Sequence, residues 1–311
     1  MGTGGGNWSK SLRHLATGES ELARICSRED HSAAMSVQVY RCLQNSKEAS
    51  DAWQRFKTEL AGGPPMDLGA WARILLAAKK VPTRYRNWRR VQENLRLSLE
   101  DLYQWERAKQ IVHERVNTSF QSADKSHQEL LQKLRQLVEP MLPAGARAPN
   151  RDWRYVGFQG DDPGTDFRGM GIFALHQLIY FAETRPRTVQ RILSEANEER
   201  WSDVSEHTTS TGSSMPQLKR YYPFAVTGIH VSAFVARLVQ QGALMTAWIG
   251  ESSDTILRKI NDLYCDTFIL FHELWRKGPE RSIMEFQQVF RECCAQVERQ
   301  IQLGVFLPHA P

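Results

Sequence analysis

The sequence predicts an all-α fold, a multi-helix bundle or array in which a glycine-rich loop precedes a central helix. Apolar residues recur at helical spacing in one segment after another, and no segment sustains the alternation that is typical of a half-buried strand. The 311 residues are 41% hydrophobic and include nine tryptophans, which indicates a folded core. Helices joined by short loops are expected to pack on one another.

The front of the chain divides into a flexible end and a helical region. Residues 1–18 begin with a glycine-rich stretch, and we expect them to be flexible. Residues 19–122 are predicted to form a helical N-terminal region, with one or two helices within 19–47 and a short helix from Asp51 to Leu60. The cluster Gly62-Gly-Pro-Pro65 predicts a break, and Asp67 is placed to open the next helix.

A run of cations follows, and its function stays open among three interpretations. Residues 1–150 hold 23 Lys and Arg against 16 Asp and Glu, whereas residues 151–311 hold 17 against 19. A solvated helix face is one interpretation, and contact with anionic lipid headgroups is the second. Nucleic acid is disfavoured because no RNA or DNA motif accompanies the charge. The candidate membrane-surface residues are Lys79, Lys80, Arg84, Arg86, Arg89 and Arg90, with Arg96 beyond them and Glu93 as the one acid.

The rest of the chain predicts further helices, the most apolar of which is expected to be central. Ser282, with Glu285 three residues later, has the pattern of a capping box. Residues 304–311 are predicted to be a tail. The predicted helices run from Glu100 to Phe120, Ala123 to Leu142, Arg187 to Arg200, Phe224 to Gln241 (the central one), about Asp254 to Trp275 and Ser282 to Gln302, with a loop from Ser202 to Gln217.

Several function classes are disfavoured by what the sequence lacks. The five cysteines have no metal-ligand spacing and are typical of a reduced, intracellular protein. No stretch reaches eighteen uninterrupted apolar residues, and no phosphate-binding or dinucleotide fingerprint is present. We therefore expect a cytoplasmic protein with no membrane span, no metal and no cofactor of its own.

The stretch from Trp153 to Gly171 is the most distinctive in the chain. Its first part is rich in glycine, proline and aspartate, which predicts a shaped loop, and from Ile172 the spacing changes to that of an apolar helix. Arg168 is the only cation between Arg154 and Arg185. From residue types alone, Arg168 either ties the loop by binding Asp161, Asp162 or Asp166, or is presented to a partner.

The pattern Trp153-x3-Gly157-Phe158-Gln159-x2-Asp162-Pro163-x-Thr165-Asp166-Phe167-Arg168-Gly169-x-Gly171 resembles the signature of the ELMO domain. More narrowly, it is similar to the ELMOD proteins, which are GTPase-activating proteins for Arf-family GTPases. The likeness extends over residues 127–290, and we place the ELMO domain at 123–303. One departure is His230, where the family is expected to carry Asn; its role stays open, and its place inside an apolar helix favours a hydrogen-bonded core histidine over a ligand or a base.

The resemblance implies a function and a set of site residues. Arg168 would be the catalytic arginine, inserted into the nucleotide site of a GTP-bound Arf-family or Arf-like GTPase, and Asp166 would orient or shield it. The alternative is a non-catalytic ELMO-type adaptor that binds a GTPase or an exchange factor. A peripheral position at an organelle membrane would suit Arf-type substrates. The residues expected to bind the partner or to shape the loop are Trp153, Gly157, Phe158, Gln159, Asp162, Pro163, Thr165, Asp166, Phe167, Gly169 and Gly171.

Overall fold

The computed structural model describes residues 20–62, 67–142, 153–160, 162–197, 220–277 and 281–305. Within these ranges the protein is α-helical and contains no strand, which confirms the predicted fold class. Short 3₁₀ segments cover Glu139–Met141, Trp153–Val156, Pro163–Gly169 and Ile283–Glu285. The helices are α1 (Glu21–Cys26), α2 (Ala33–Gln44), α3 (Ser50–Gly62), α4 (Leu68–Ala78), α5 (Trp88–Asn117), α6 (Lys125–Val138), α7 (Gly171–Thr184), α8 (Pro186–Ala196), α9 (Phe224–Gln240), α10 (Met245–Trp248), α11 (Ser253–Lys277) and α12 (Phe286–Gln302).

The chain forms two compact units, and helices α5 and α11 contribute residues to both. The first unit comprises residues 1–110 and 244–256, and the second comprises residues 111–243 and 257–311. The predicted division into residues 19–122 and 123–303 stays a prediction. The predicted loop at 202–217 lies outside the described residues, as do residues 1–19 and 306–311.

The first unit has an aromatic core between its short helices. The rings of Trp53 and Phe56 stack at 5.3 Å, and Trp71 meets Phe56 edge-on at 5.6 Å, which joins α3 to α4. Asp67 accepts a hydrogen bond from the backbone N–H of Ala70 at 2.8 Å. The predicted helix start at Asp67 is thereby confirmed, since a carboxylate at this position satisfies an unpaired amide of the first turn.

Helix α5 begins at an earlier residue than the sequence predicted. It starts at Trp88 rather than Glu100, and it ends at Asn117 rather than Phe120. The reason lies in its buried stripe of Val91, Leu95 and Leu99, which has helical spacing but is set among the cations of the basic run. Burial of that stripe stabilises the helix although the exposed face is strongly charged.

The core of the second unit is built where α7, α9 and α11 meet. Phe181, Phe224 and Phe268 form a cluster with ring centroids 4.9–6.4 Å apart. Gly228 lies in the middle of α9, and a Cβ there would meet the Tyr264 hydroxyl at 2.6 Å. The lack of a side chain at Gly228 therefore lets α9 and α11 approach closely, and α9 is central as predicted.

Two features of the second unit bear on its helix ends and on His230. Ser282 and Glu285 form the predicted capping box, each side chain satisfying a backbone amide of the other residue. The prediction that His230 is a core histidine was wrong, because its side chain is exposed. Its ring packs against Phe286 and Phe290, 5.5 and 5.8 Å away, so this side chain of α9 contacts α12 at the surface.

No helix within the described residues is both long enough and apolar enough to span a bilayer. The longest helix, α5, has 30 residues but carries charged side chains along its length.

Candidate functional site

The glycine-rich stretch forms a short 3₁₀ helix, Pro163–Gly169, whose first turn is capped. The Asp162 carboxylate accepts a hydrogen bond from the Gly164 N–H at 2.9 Å, and the Thr165 hydroxyl donates to the Asp162 carbonyl at 2.9 Å. Pro163 is buried at the first position, where the missing N–H costs nothing. The order Asp-Pro-Gly-Thr therefore starts this turn at a defined residue.

Arg168 projects from the exposed side of this turn. Successive side chains of a 3₁₀ helix are separated by about 120°, so the burial of Phe167 turns its neighbour Arg168 away from the core. The Arg168 side chain is exposed, and it makes no hydrogen bond or ion pair with any residue that the structure describes. Asp161, one of the acids considered as its partner, lies outside those residues.

A cluster of four aromatic side chains packs beneath the turn; we call it the aromatic base, and it comprises Phe120, Trp153, Phe158 and Phe167. Phe167 is fully buried, and its ring lies 5.6 Å from that of Phe158 and 5.8 Å from that of Phe120. Phe158 in turn meets Trp153 edge-on at 5.4 Å, and the Arg135 guanidinium lies over the Trp153 ring, 5.1 Å from its centroid. Edge-to-face aromatic contacts of this kind fix ring orientation as well as burying area, so the base holds the turn in one position.

Asp166 connects the turn to the segment before it. Its carboxylate accepts a hydrogen bond from the backbone N–H of Gln159 at 2.8 Å, while the Gln159 side chain is exposed. Within the described part of the chain, Asp166 and Arg168 form no ion pair. The Asp166 carboxylate is thus hydrogen-bonded to the loop backbone rather than paired with Arg168.

Two glycines anchor the ends of the signature where no other residue fits. Gly157 has a φ of +88°, and a Cβ there would lie 2.2 Å from the backbone nitrogen of Phe224 at the start of α9. Gly171 has a φ of +50°, and its Cβ would lie 2.4 Å from the carbonyl oxygen of Thr118, just after α5. The Ile172 N–H donates to that same Thr118 carbonyl at 2.9 Å. Both ends of the signature are therefore seated directly on neighbouring backbone.

The other two glycines of the turn differ from each other. A Cβ on Gly164 would meet the ring of Phe120 at 2.8 Å, so this glycine makes room for the aromatic base. Gly169 is exposed, and a Cβ there would meet nothing within 4 Å. The chain itself gives no packing reason for glycine beside Arg168.

The start of α7 and the end of α5 form a positive neighbourhood. Burial, followed by the nearby charges of Arg115, Lys133 and His127, lowers the pKa of His176 from 6.5 to about 4. Burial also lowers the pKa of the Arg115 guanidinium, which has no ion pair among the described residues. The sequence prediction missed Arg115 and also Phe120 of the aromatic base; the available signal for Phe120 was an aromatic side chain at the end of a predicted helix.

The basic run belongs to the first unit, where the structure divides it into engaged and unengaged cations. Lys79 donates to Glu48 at 2.9 Å and to Ser46 at 3.0 Å. Lys80, Arg84, Arg86, Arg89 and Arg90 are exposed, and none of them has an ion pair with a described residue. Of the six candidate membrane-surface residues, five are thus available to a partner.

The fold and the braced turn together define a class of protein: an all-helical domain that presents an arginine on a short 3₁₀ helix seated between two of its helices. The sequence model of the ELMO/CED-12 family matches residues 110–290, which contain the whole of this turn. The chain belongs to the ELMO/CED-12 family.

Curated relatives resemble this chain over most of its length. ELMO domain-containing protein 1 of Homo sapiens is 27% identical over 304 residues, which cover 94% of this chain and 87% of that protein. ELMO domain-containing protein B of Dictyostelium discoideum is 27% identical over 288 residues, covering 91% and 90%. ELMO domain-containing protein 2 of Homo sapiens is 32% identical over 174 residues, covering 56% and 52%. No solved structure matches the chain.

Proposed function

We propose that this protein is a GTPase-activating protein for GTP-bound Arf-family or Arf-like small GTPases, and that it supplies Arg168 in trans. The observation that carries the proposal is the exposed Arg168 side chain, unpaired among the described residues, on a turn that is held by the buried Phe167 and by the hydrogen bond from the Gln159 N–H to Asp166. The resemblance of the signature to that of the ELMOD proteins gives the class of partner. The site of action is the cytoplasm, at the organelle membranes where such GTPases work.

Arginine suits this reaction for an electrostatic reason. When the γ-phosphoryl group is transferred to water, negative charge is spread over its oxygens, and a guanidinium offers planar, permanently charged donors that match them. An inserted arginine accelerates hydrolysis by roughly 10³–10⁵, or about 4–7 kcal/mol of barrier. The GTPase provides its nucleotide, Mg²⁺ and the group that positions water, so this protein needs no cofactor of its own.

Besides the charge of the arginine, efficient activation requires that the turn carrying it be rigid. An arginine that arrives from a flexible loop must lose conformational freedom at the moment of docking, which weakens its effect on the rate. Here Phe167 is buried, Asp166 is bonded to the Gln159 backbone, and Gly171 is seated on the end of α5. The backbone that carries Arg168 is therefore organised before the partner binds.

Single-turnover GTP hydrolysis with a panel of purified Arf-family and Arf-like GTPases tests the proposal. Wild type, Arg168→Ala and Arg168→Lys are compared at saturating activator, with Arg187→Ala as the matched control. Arg187 is an exposed arginine of α8 in the same unit but outside the signature. We expect acceleration by wild type and the control, loss of about 10³-fold or more with Arg168→Ala, and little recovery with Arg168→Lys.

Binding measured in parallel separates the proposal from its alternative. If a GTPase binds and neither wild type nor Arg168→Ala accelerates its hydrolysis, the protein is a non-catalytic ELMO-type adaptor. Thermal melting of each variant shows whether a lost activity comes from a lost fold. Because Arg168 is exposed, its replacement is expected to change stability by no more than about 0.5 kcal/mol.

A further inference from the structure

Five cations of the run are exposed and have no ion pair with a described residue, and together we call them the basic surface: Lys80, Arg84, Arg86, Arg89 and Arg90. The other two cations of the run, Lys79 and Arg96, form ion pairs with acidic side chains of the protein itself. Lys79 holds Glu48, whose pKa it lowers to about 2, and Arg96 makes three contacts of 2.8–3.1 Å with Glu93. Within the described residues, Glu48 is thus bound by Lys79, and Glu93 by Arg96.

The loop that carries the basic surface has a defined shape. Lys80 and Asn87, at its two ends, have φ values of 54° and 62°, an uncommon region for residues other than glycine. Val81 is buried, and its N–H donates to the Leu76 carbonyl at 2.9 Å. The Tyr85 N–H donates to Pro82 at 2.9 Å within the same loop. The backbone that carries Lys80, Arg84 and Arg86 is thus held in one conformation by its own hydrogen bonds and by the burial of Val81.

The position of two of these cations is unfavourable for the isolated protein. Arg89 and Arg90 lie in the first turn of α5, which has no acidic residue. The N-terminal end of a helix carries a partial positive charge, so cations there are disfavoured and acids are preferred. Like-charge repulsion across the basic surface adds to that cost. A negatively charged partner would offset both the unfavourable interaction with the helix end and the repulsion between the cations.

Anionic lipid fits the basic surface better than the other negatively charged partners. The exposed large apolar side chains of the described residues all lie outside 80–90, so the surface offers charge without an apolar insert. Tyr85 and Trp88 are half-buried rather than presented as stacking platforms for bases. A membrane surface requires no particular spacing of cations, and each cation near it raises the partition coefficient about fivefold.

We propose that the basic surface docks this protein on membranes that contain anionic phospholipid, by an electrostatic contact through Lys80, Arg84, Arg86, Arg89 and Arg90. The contact does not depend on GTPase activation, and it holds or fails independently of the function of Arg168. Because it is electrostatic, it weakens as salt shortens the screening length.

Vesicle sedimentation of the full chain tests this proposal. Phosphatidylcholine vesicles, with and without about one-third phosphatidylserine, are compared at about 0.1 M and about 0.5 M salt. The variants are Arg84→Glu with Arg86→Glu, and Arg89→Glu with Arg90→Glu. The control is Arg41→Glu with Lys47→Glu, which makes the same change of net charge at exposed positions of the same unit.

We expect wild type and the control to bind only the phosphatidylserine vesicles at low salt. Each pair of substitutions in the basic surface is expected to lower the partition coefficient by about 25-fold or more, from the loss of two cations. Arg89→Glu with Arg90→Glu places acids in the first turn of α5, so its melting temperature should be equal to or higher than that of wild type. A loss of binding in that variant therefore cannot be due to unfolding.

Three results would overturn the proposal. The first is no binding of wild type to phosphatidylserine vesicles, and the second is an equal loss in the control, which would make net charge alone responsible. The third is binding of a short RNA or of inorganic phosphate that is lost on substitution in the basic surface, while vesicle binding is unchanged by the same substitutions; either ligand would then be the one that the surface takes.

Discussion

The carboxylate of Asp166 lies 2.8 Å from the backbone nitrogen of Gln159 and accepts its hydrogen bond. This contact joins the 3₁₀ turn that carries Arg168 to the segment that follows Gly157. A charged acceptor and a backbone donor make a stronger hydrogen bond than two neutral groups. The acid two residues before the arginine therefore positions the backbone of the turn.

Replacement of Asp166 separates this positioning from a direct effect of its charge on Arg168. Asp166→Ala removes the acceptor and is expected to destabilise the fold by about 0.5–1.5 kcal/mol and to lower GTPase stimulation by about tenfold. Asp166→Asn retains an oxygen acceptor and should keep most of both. Urea denaturation and single-turnover hydrolysis measure the two effects. Equal losses of stimulation in the Asn and Ala variants would indicate that the charge, not the hydrogen bond, is what Arg168 requires.

Gly171→Ala and Gly169→Ala form a matched pair for stability. At Gly171 the new methyl group would meet three carbonyl oxygens at 2.4–2.7 Å on a backbone with a φ of +50°, whereas at Gly169 it would meet nothing within 4 Å. We expect a loss of about 2–4 kcal/mol of unfolding free energy for Gly171→Ala, and less than about 1 kcal/mol for Gly169→Ala. Similar losses in both variants, measured by urea denaturation, would contradict the seating of Gly171 on the end of α5.

Gly169 is expected to affect the stimulation of GTP hydrolysis rather than the stability of the fold. A methyl group beside Arg168 leaves the fold intact but occupies space through which the arginine must approach a nucleotide site. Gly169→Ala should therefore melt at nearly the wild-type temperature and yet stimulate hydrolysis about tenfold less well, with Gly169→Val weaker still. Wild-type stimulation by both variants would mean that Gly169 does not face the GTPase.

His176 predicts a pH dependence of stability. Its pKa is lowered to about 4 in the folded protein, by burial and by the charges of Arg115, Lys133 and His127, from an ordinary value of 6.5. The unfolded chain therefore binds a proton first, so the contribution of His176 is complete above pH 6.5 and is lost as the pH falls toward 4. His176→Gln should reduce the loss of unfolding free energy between pH 7 and pH 5 by on the order of 1–2 kcal/mol, because the side chain is partly screened. Denaturation curves at the two pH values measure it; identical pH dependence in variant and wild type would contradict the assigned pKa.

Much of the fold was predictable because its local signals agree with its packing. Asp67 and Ser282 have the residue types that cap helices, and both cap helical segments in the structure. The start of α5 was not predictable in the same way, since the cations around Val91 and Leu95 obscured the apolar stripe. His230 was assigned to the core because α9 is apolar on nearly every side, yet its side chain is exposed.

The site was predictable in part. The loop and the identity of Arg168 follow from composition and from the resemblance, which is carried by residues close together in sequence. The support from Phe120 and from the carbonyl of Thr118 comes from a segment some fifty residues earlier in the sequence. No local pattern records such a contact, because it is created by the packing of the end of α5 on the start of α7.

The rate constant for a single turnover of GTP on an Arf-family or Arf-like GTPase, measured with saturating wild type and then with saturating Arg168→Ala, tests the central claim most directly. The account predicts strong acceleration by wild type and a loss of about 10³-fold or more in the variant, while both proteins bind the GTPase equally well. Equal acceleration by the two proteins would contradict it.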